Sequence, residues 1–510
     1  MYKLNYLLSV LLMCIFFSCD KDPQLEETTS TDPLSQEEIE SLIYDHLSSG
    51  EVWEWEGQSP ELIWSAGMRS DSMFSVGFQP AGFTDLKNKI HEIDITDAPW
   101  QKAKSSLVDV ILSNESMARG EADLSMSDLE KMGENDYFPS LFVSLSDLGT
   151  VEKLMAMPEV RYVEPLGFSL TEEKAFQRSS SGCSGSPDYG INSGDYTTVA
   201  PGAKVPWNFY NHNIPNAWNS TNQGDNIKVC IIDSGSANNQ DNLRSNFNSG
   251  YSSGRTWQAH STKYSGSWWW KSLDSPNDPC GHGTSMAGLA TAPRSNDGNA
   301  VGVAYKSDLL TIRAVEDVLI SSSNERAGVR DALKYAGDRN VKIISMSIGS
   351  VTSSSTVKDG IYYAYNRGKL IIAAAGTSFS WTSWWGVIFP ANMSQTTAVT
   401  GVKEGSSLNR CNTCHDGSKV DFAITMQRNF DNDRTSLALA LYSNQPKQIS
   451  GSSTATAMTA GIAALVWSEN PSASRTTVLN AMKNASQFYP SRDSNFGWGR
   501  IDASAAVNGM

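Results

Sequence analysis

Between residues 228 and 423 the chain returns again and again to short apolar runs, and this constrains its fold more than any other feature. The runs are Lys228 to Ile232, Asp308 to Val315, Val341 to Met346, Leu370 to Ala374, Ala398 to Val402 and Val420 to Ala423. A strand with one wet face alternates apolar and polar residues, whereas a run that is apolar throughout suits a strand buried on both faces of a parallel sheet. Helical spacing separates the runs, at Asn324 to Tyr335 and Val357 to Tyr365. Parallel neighbours need long crossovers, and helices supply both the crossovers and the cover. The pattern predicts an α/β fold with a doubly wound, mainly parallel sheet, and no fixed-period repeat competes with it.

The chain before this region reads differently. Leu141 to Leu145 predicts a strand, Leu148 to Met155 a short helix and Val160 to Val163 another strand, a split βαβ fragment. Asp97 and Pro99 can start a helix that runs through Val108 to Leu112. Residues 72–168 are therefore expected to form a small α+β domain. Residues 19–71 are acidic and Ser/Thr/Pro-rich at first, with one helix opening at the capping-box pair Ser35 and Glu38, and read as a tether. Residues 169–205 are rich in Ser, Gly and Asp without periodicity, and read as a linker before a domain over 206–510.

The chain has 510 residues, 40% of them hydrophobic, which excludes general disorder. Forty Lys and Arg against 55 Asp and Glu leave a net charge of −15, and no long basic run exists, so nucleic acid is not an expected partner. The apolar stretch Leu7 to Phe17 behind Lys3 is about 11 residues, too short for the roughly 20 that cross a bilayer, and reads as an export signal over residues 1–18. Cys14 lies in that segment and Cys19 directly follows it, so both are set apart with the signal. Cys183, Cys230, Cys280, Cys411 and Cys414 remain, an odd set that allows two bridges at most. Cys280 is either a thiol or paired with Cys183 or Cys230. Cys411-Asn412-Thr413-Cys414-His415 has the C-x-x-C-H spacing of haem attachment, but its place between two expected strands favours a local disulfide or two free thiols.

Three segments carry chemistry. Asp233 ends an apolar run, at the carboxyl edge where α/β sheets gather ligands. His282 stands between Gly281 and Gly283 before a helix from Thr284 to Ala290. Ser453, in Gly451-Ser452-Ser453, precedes a helix from Thr454 to Trp467, whose amino end favours a developing oxyanion. A serine hydroxyl needs a base, and the base needs a carboxylate to fix its tautomer. Asp, His and Ser stand in the chain order of one of the known triad solutions.

At these residues the chain resembles the subtilisin-like serine peptidases, over about Val205 to Val507. The resemblance rests on Ile231 to Gly235, Gly281 to Thr284, Gly302-Val303-Ala304, Ser345 to Gly349, Ala373 to Gly376, Phe389-Pro390-Ala391, Gly451 to Ser453 and Gly497 to Ala503. It implies Asp233 as orienter, His282 as general base and Ser453 as nucleophile of an acyl transfer that needs no cofactor. Ser347, Ile348 and Gly349 would pair with an extended substrate by strand addition, and Ala374, Ala375 and Gly376 would wall the pocket before the scissile bond. Thr377 stands where the family usually has an oxyanion-binding Asn, which implies a slow or selective protease. Thr454, Thr456 and Ala457 also depart from the family block, in packing more than in proton transfer.

The segment Leu141 to Pro165 resembles the second half of subtilase propeptides, which implies an intramolecular inhibitor whose exit strand lies in the cleft until cut between Leu166 and Pro206. Phe16-Phe17-Ser18-Cys19 resembles a bacterial lipobox, with Phe16 in place of the usual Leu, and implies acylation of Cys19. The expected protein is then an exported monomer acting on proteins or peptides, lipid-anchored in a bacterial envelope and facing the periplasm or the exterior. Calcium often accompanies the family, yet no run has EF-hand spacing, so any such site would come from distant loops and no metal ligand is assigned. Trp268 to Trp270 and Trp381, Trp384 and Trp385 read as packing residues or as subsite walls. The alternative reading is a catalytically weak scaffold that binds a peptide or glycan, motivated by Thr377.

Overall fold

Each apolar run becomes a strand of one sheet in the computed structural model, which describes residues 32–130, 132, 137–179, 183–265, 272–377 and 386–510. The segment read as an export signal, Cys14 and Cys19, and the tryptophan clusters at 268–270 and 381–385 lie outside the described residues. In chain order the strands are β1 (Met73–Phe78), β2 (Ser140–Ser144), β3 (Val160–Pro165), β4 (Tyr196–Val199), β5 (Ala203–Pro206), β6 (Lys228–Asp233), β7 (Trp257–Ser261), β8 (Tyr264–Ser265) and β9 (Ser272–Leu273). They continue as β10 (Asp308–Arg313), β11 (Ile343–Met346), β12 (Leu370–Ala374), β13 (Thr396–Lys403), β14 (Phe422–Gln427), β15 (Ser436–Leu439) and β16 (Pro446–Ile449).

The main sheet has the order β14-β13-β12-β11-β6-β10-β7, and every pairing in it is parallel. Its one strand without an apolar run is β7, an edge strand of sequence Trp-Gln-Ala-His-Ser that is only partly buried and so carries little sequence signal. Helices cover both faces. Ser452–Ser468 is buried along its whole length, as expected of a helix without a polar stripe, and shares one core with His282–Thr291. Ser323–Gly337 and Ser355–Asn366 cover the other face, where Val329, Leu333, Val357 and Ile361 meet Ile232, Leu310 and Ile344.

The amino-terminal unit is a three-stranded antiparallel sheet, β2-β1-β3, backed by helices Ala98–Arg119 and Leu148–Met155. It docks on the helix pair Ser323–Gly337 and Ser355–Asn366 through apolar contacts to Ala327 and Tyr363 and through desolvated polar contacts. Glu164 accepts the first N–H groups of the second helix, from Ser355 (2.6 Å) and Thr356 (2.9 Å), which have no partner within the helix. Arg161 pairs with Asp359 at 2.7 Å, and the buried Arg326 donates to the Leu166 (2.6 Å) and Phe168 (2.7 Å) carbonyls.

Three expectations are corrected here. Residues 34–68 are no tether: helices Gln36–Leu47 and Pro60–Met68 belong to the core of the amino-terminal unit, because Ile39, Ile43 and Leu47 recur every fourth residue and form a fully buried stripe. Residues 169–205 are no loose linker. They hold the helix Thr171–Ser179, a disulfide from Cys183 to Cys280, the hairpin β4–β5, and Asp195, a buried carboxylate that pairs with Arg434 (2.7 Å) and Arg428 (3.2 Å). Charge pairing rather than apolar periodicity orders that segment. Finally, β3 stays in its own sheet and its continuation at Leu166 and Phe168 is held by Arg326, so β3 itself is not the strand in the cleft; Ser184, farther along, does line it. Ile43→Ala is expected to lower unfolding free energy by about 2–5 kcal/mol in denaturant titration, whereas a true tether would lose nothing measurable.

Candidate active site

Asp233 ends β6 beside β11, where the connections from β6 to β7 and from β11 to β12 leave in opposite directions and open a crevice. It is fully buried. Its Oδ1 accepts from the Ser234 amide (2.8 Å) and from His282 Nδ1 (2.8 Å), while Oδ2 has no hydrogen-bond partner among the described residues. A buried carboxylate in that state strongly favours a positive partner, and the imidazole supplies it.

His282 opens the helix His282–Thr291, and its two glycine neighbours are required by close approach. Gly281 has φ +88°, and a Cβ there would lie 2.8 Å from the Gly185 Cα; one on Gly283 would lie 2.4 Å from the Gly235 carbonyl oxygen. Asp278, which the sequence reading missed, holds the turn. Its Oδ1 accepts from the Gly281 amide (2.8 Å), the Cys280 amide (2.9 Å) and Ser234 Oγ (2.9 Å); its Oδ2 accepts from the Thr284 amide (2.8 Å) and hydroxyl (2.6 Å). An Asp just ahead of a helix start, with Thr284 inside it, was the available signal. Burial pulls the His282 pKa down, but the Asp233 charge and hydrogen bond, with Asp278 behind them, outweigh burial and leave it above the ordinary 6.5.

Ser453 lies in the first turn of Ser452–Ser468, after Gly451 at φ +91°. Its hydroxyl donates to the Ser347 carbonyl (3.3 Å), and the Ser347 hydroxyl donates back to the Ser453 carbonyl (3.0 Å). His282 and Ser453 line one cleft of about 550 Å³ together with Ser347, Ile348, Gly349, Ala374, Gly376 and Thr377. Thr377 Oγ1 is 3.1 Å from Ser452 Oγ, which also accepts from the Gly376 amide (3.2 Å). Ser452 is a second residue that sequence reading did not single out; with its proton given to Thr377, the Thr377 proton is left for the cleft.

Two expected substrate contacts are not on offer. Ala375 is wholly buried in a small apolar cluster with Val387 and Ala398 and does not line the cleft. Gly349 lines it, yet its amide already donates to the Val318 carbonyl (3.1 Å) and its carbonyl accepts from the Ile320 amide (2.9 Å). Val318 to Ile320 thus occupies the edge at which an extended peptide would pair.

Cys411 and Cys414 form a local disulfide, which consumes both sulfurs of the C-x-x-C-H pattern, and Cys183 pairs with Cys280, leaving Cys230 buried and free. His415 packs beneath Gly376, where a Cβ would come within 2.5 Å of its ring, and burial pushes its pKa down to about 4. Among the described residues no cluster of three or more His, Cys, Asp or Glu is placed to hold a metal ion.

Residues 224–499 match the family model described as the subtilase family. The chain is 29% identical over 294 residues to thermitase of Thermoactinomyces vulgaris, a match that covers 58% of this chain and 92% of thermitase. It is 25% identical over 411 residues to M-protease of Shouchella clausii, covering 80% of this chain and 89% of that one. Among solved structures, fervidolysin of Fervidobacterium pennivorans shares the fold with a TM-score of 0.60 at 16% identity, over 86% of this chain and 61% of that chain.

A base must be neutral to accept a proton, so the raised His282 pKa puts the acid limb of kcat/KM against pH above 6.5, and Asp233→Asn moves that limb down as it slows the reaction. An acid limb below 6.5 in the unaltered protein would contradict this electrostatic account. Extending a peptide substrate along the Gly349 edge is expected to raise kcat/KM by less than the roughly tenfold that two new backbone hydrogen bonds would bring, as measured with a length series.

Proposed function

Because the chain belongs to the subtilase family and is a serine endopeptidase acting on protein or peptide substrates, we propose that Asp233, His282 and Ser453 are its catalytic triad. The observation that carries this reading is the 2.8 Å bond from His282 Nδ1 to a fully buried Asp233, in one cleft with a serine at a helix start. With its Nδ1 proton committed to Asp233, His282 presents Nε2 as base. Ser453 Oγ attacks the peptide carbonyl and its proton passes to Nε2. The tetrahedral oxyanion is met by the Ser453 amide and the Thr377 hydroxyl; collapse expels the amine, which takes the proton from His282. Water then repeats the sequence on the acyl-enzyme, and no cofactor is consumed. Thr377, shorter than an amide and shared with Ser452, makes this a slow or selective enzyme.

We further propose that it is made as a monomeric precursor, exported and lipid-anchored through Cys19, with the amino-terminal unit as propeptide. Processing falls between Leu170 and Cys183. Phe168 and Leu170 are fully buried in the core of the amino-terminal unit, while from Cys183 onward the chain is tied to the peptidase domain by the bridge to Cys280 and by bonds from Leu441 to Gly185 (2.8 Å) and Asp188 to Pro446 (3.0 Å). A second reading, a peptide-binding scaffold with little turnover, is favoured only by the occupied Gly349 edge and Thr377.

The unaltered chain produced without its signal is expected to split within that window, giving fragments that separate on a non-reducing gel, while Ser453→Ala stays whole. Fragments that stay joined until reduction would mean a cut after Cys183 and would overturn the boundary. Thr377→Asn is expected to raise kcat by about tenfold or more; an unchanged kcat would remove the oxyanion role of Thr377.

A further inference from the structure

Parallel strands put their starts on one edge of the sheet, and in this sheet that edge is the pole opposite the cleft. β11, β12, β13 and β14 all begin there. Two adjacent cavities lie along it. One, of about 360 Å³, is lined by Lys419, Asp421, Arg475, Lys483 and Arg492; the other, of about 350 Å³, by Lys342, Arg367, Lys369 and Arg475. With the shared Arg475 counted once, seven cations face one carboxylate, on a chain whose net charge is −15. Such a local reversal of sign runs against the composition and focuses a positive potential at one place.

The arrangement is built rather than incidental. Arg475 is fixed at the junction by stacking on Tyr365 (3.5 Å) and by donating to the Tyr365 (2.6 Å) and Lys369 (2.9 Å) carbonyls. Lys369 is buried and donates to the Arg339 (2.7 Å) and Val341 (2.9 Å) carbonyls; burial, then repulsion from Lys342 and Arg367, pushes its pKa down to about 8. Asp421 partners Arg492 (3.4 Å) and Asp338 partners Arg367 (3.4 Å). Lys342 and Lys419 have no carboxylate partner among the described residues, and Lys483 shares the field of Asp421 with Arg492, so most of the positive charge is left uncompensated.

We propose that these two cavities form a binding site for a ligand with more than one phosphate-type oxyanion group, one group in each cavity and Arg475 between them. Guanidinium and ammonium donors on several sides suit tetrahedral oxyanions, and the position leaves the cleft on the far side of the molecule free. The test is calorimetric titration of the unaltered protein with inorganic tripolyphosphate at low salt. Saturable binding is expected, weakened by added salt and by about tenfold or more in Lys419→Gln with Lys483→Gln, while peptide hydrolysis by that variant is unchanged. The pair Lys342→Gln with Lys369→Met is expected to weaken it as well. Competition by phosphatidylglycerol vesicles would identify a lipid headgroup as the phosphate source, and its absence a soluble phosphate ligand; either supports the site. No saturable binding, or binding that survives both pairs, overturns it.

Discussion

A carboxylate with no exposed surface, Asp233, is the constraint from which the rest of the active site follows. Keeping it charged at the switch point of the sheet costs desolvation energy that has to be offset nearby, and the offset comes from His282 and the Ser234 amide. For the imidazole to reach it, the helix carrying His282 must begin against the strand end, which only glycines at 281 and 283 permit. Asp278 then satisfies the N–H groups that such a buried helix start leaves open. One electrostatic requirement thus accounts for the glycines, the cap and the imidazole orientation together.

The junction between the amino-terminal unit and the peptidase domain is of another kind. It combines polar contacts, Glu164 on a helix start, Arg161 on Asp359 and Arg326 on two carbonyls, with an apolar seam of Met73, Phe142 and Leu166 on Ala327. Polar groups of this sort fix the register of the junction. The bridge from Cys183 ties the chain to Cys280, two residues before His282.

Much of this was legible in the sequence wherever a local pattern carried it. The strand Leu370–Ala374 is apolar throughout, and Ser35 with Glu38 forms the capping box that the spacing announced. His282 and Ser453 line one cleft, with the buried Asp233 bonded behind His282, and each of the three could be picked out because its neighbours are small or form a helix start. What escaped was whatever depends on partners far along the chain. β7 has no apolar run and is defined only by its pairing with β10; Asp195 is buried only because Arg428 and Arg434 arrive from beyond residue 420. The occupied edge of Gly349 is likewise a matter of where Val318 to Ile320 is laid, and the basic pole appears only once the sheet gathers residues 342, 369, 419 and 475 at one end.

The account comes down to whether Ser453 is activated by the Asp233–His282 pair. A fluorophosphonate, which phosphonylates a serine only when a base removes its proton, asks this directly when the labelled protein is mapped by peptide mass. The account predicts a single adduct on Ser453, formed in the unaltered enzyme and lost in His282→Ala. Absence of label, or label that persists without His282, would contradict it and leave the cleft as a binding site rather than a catalytic one.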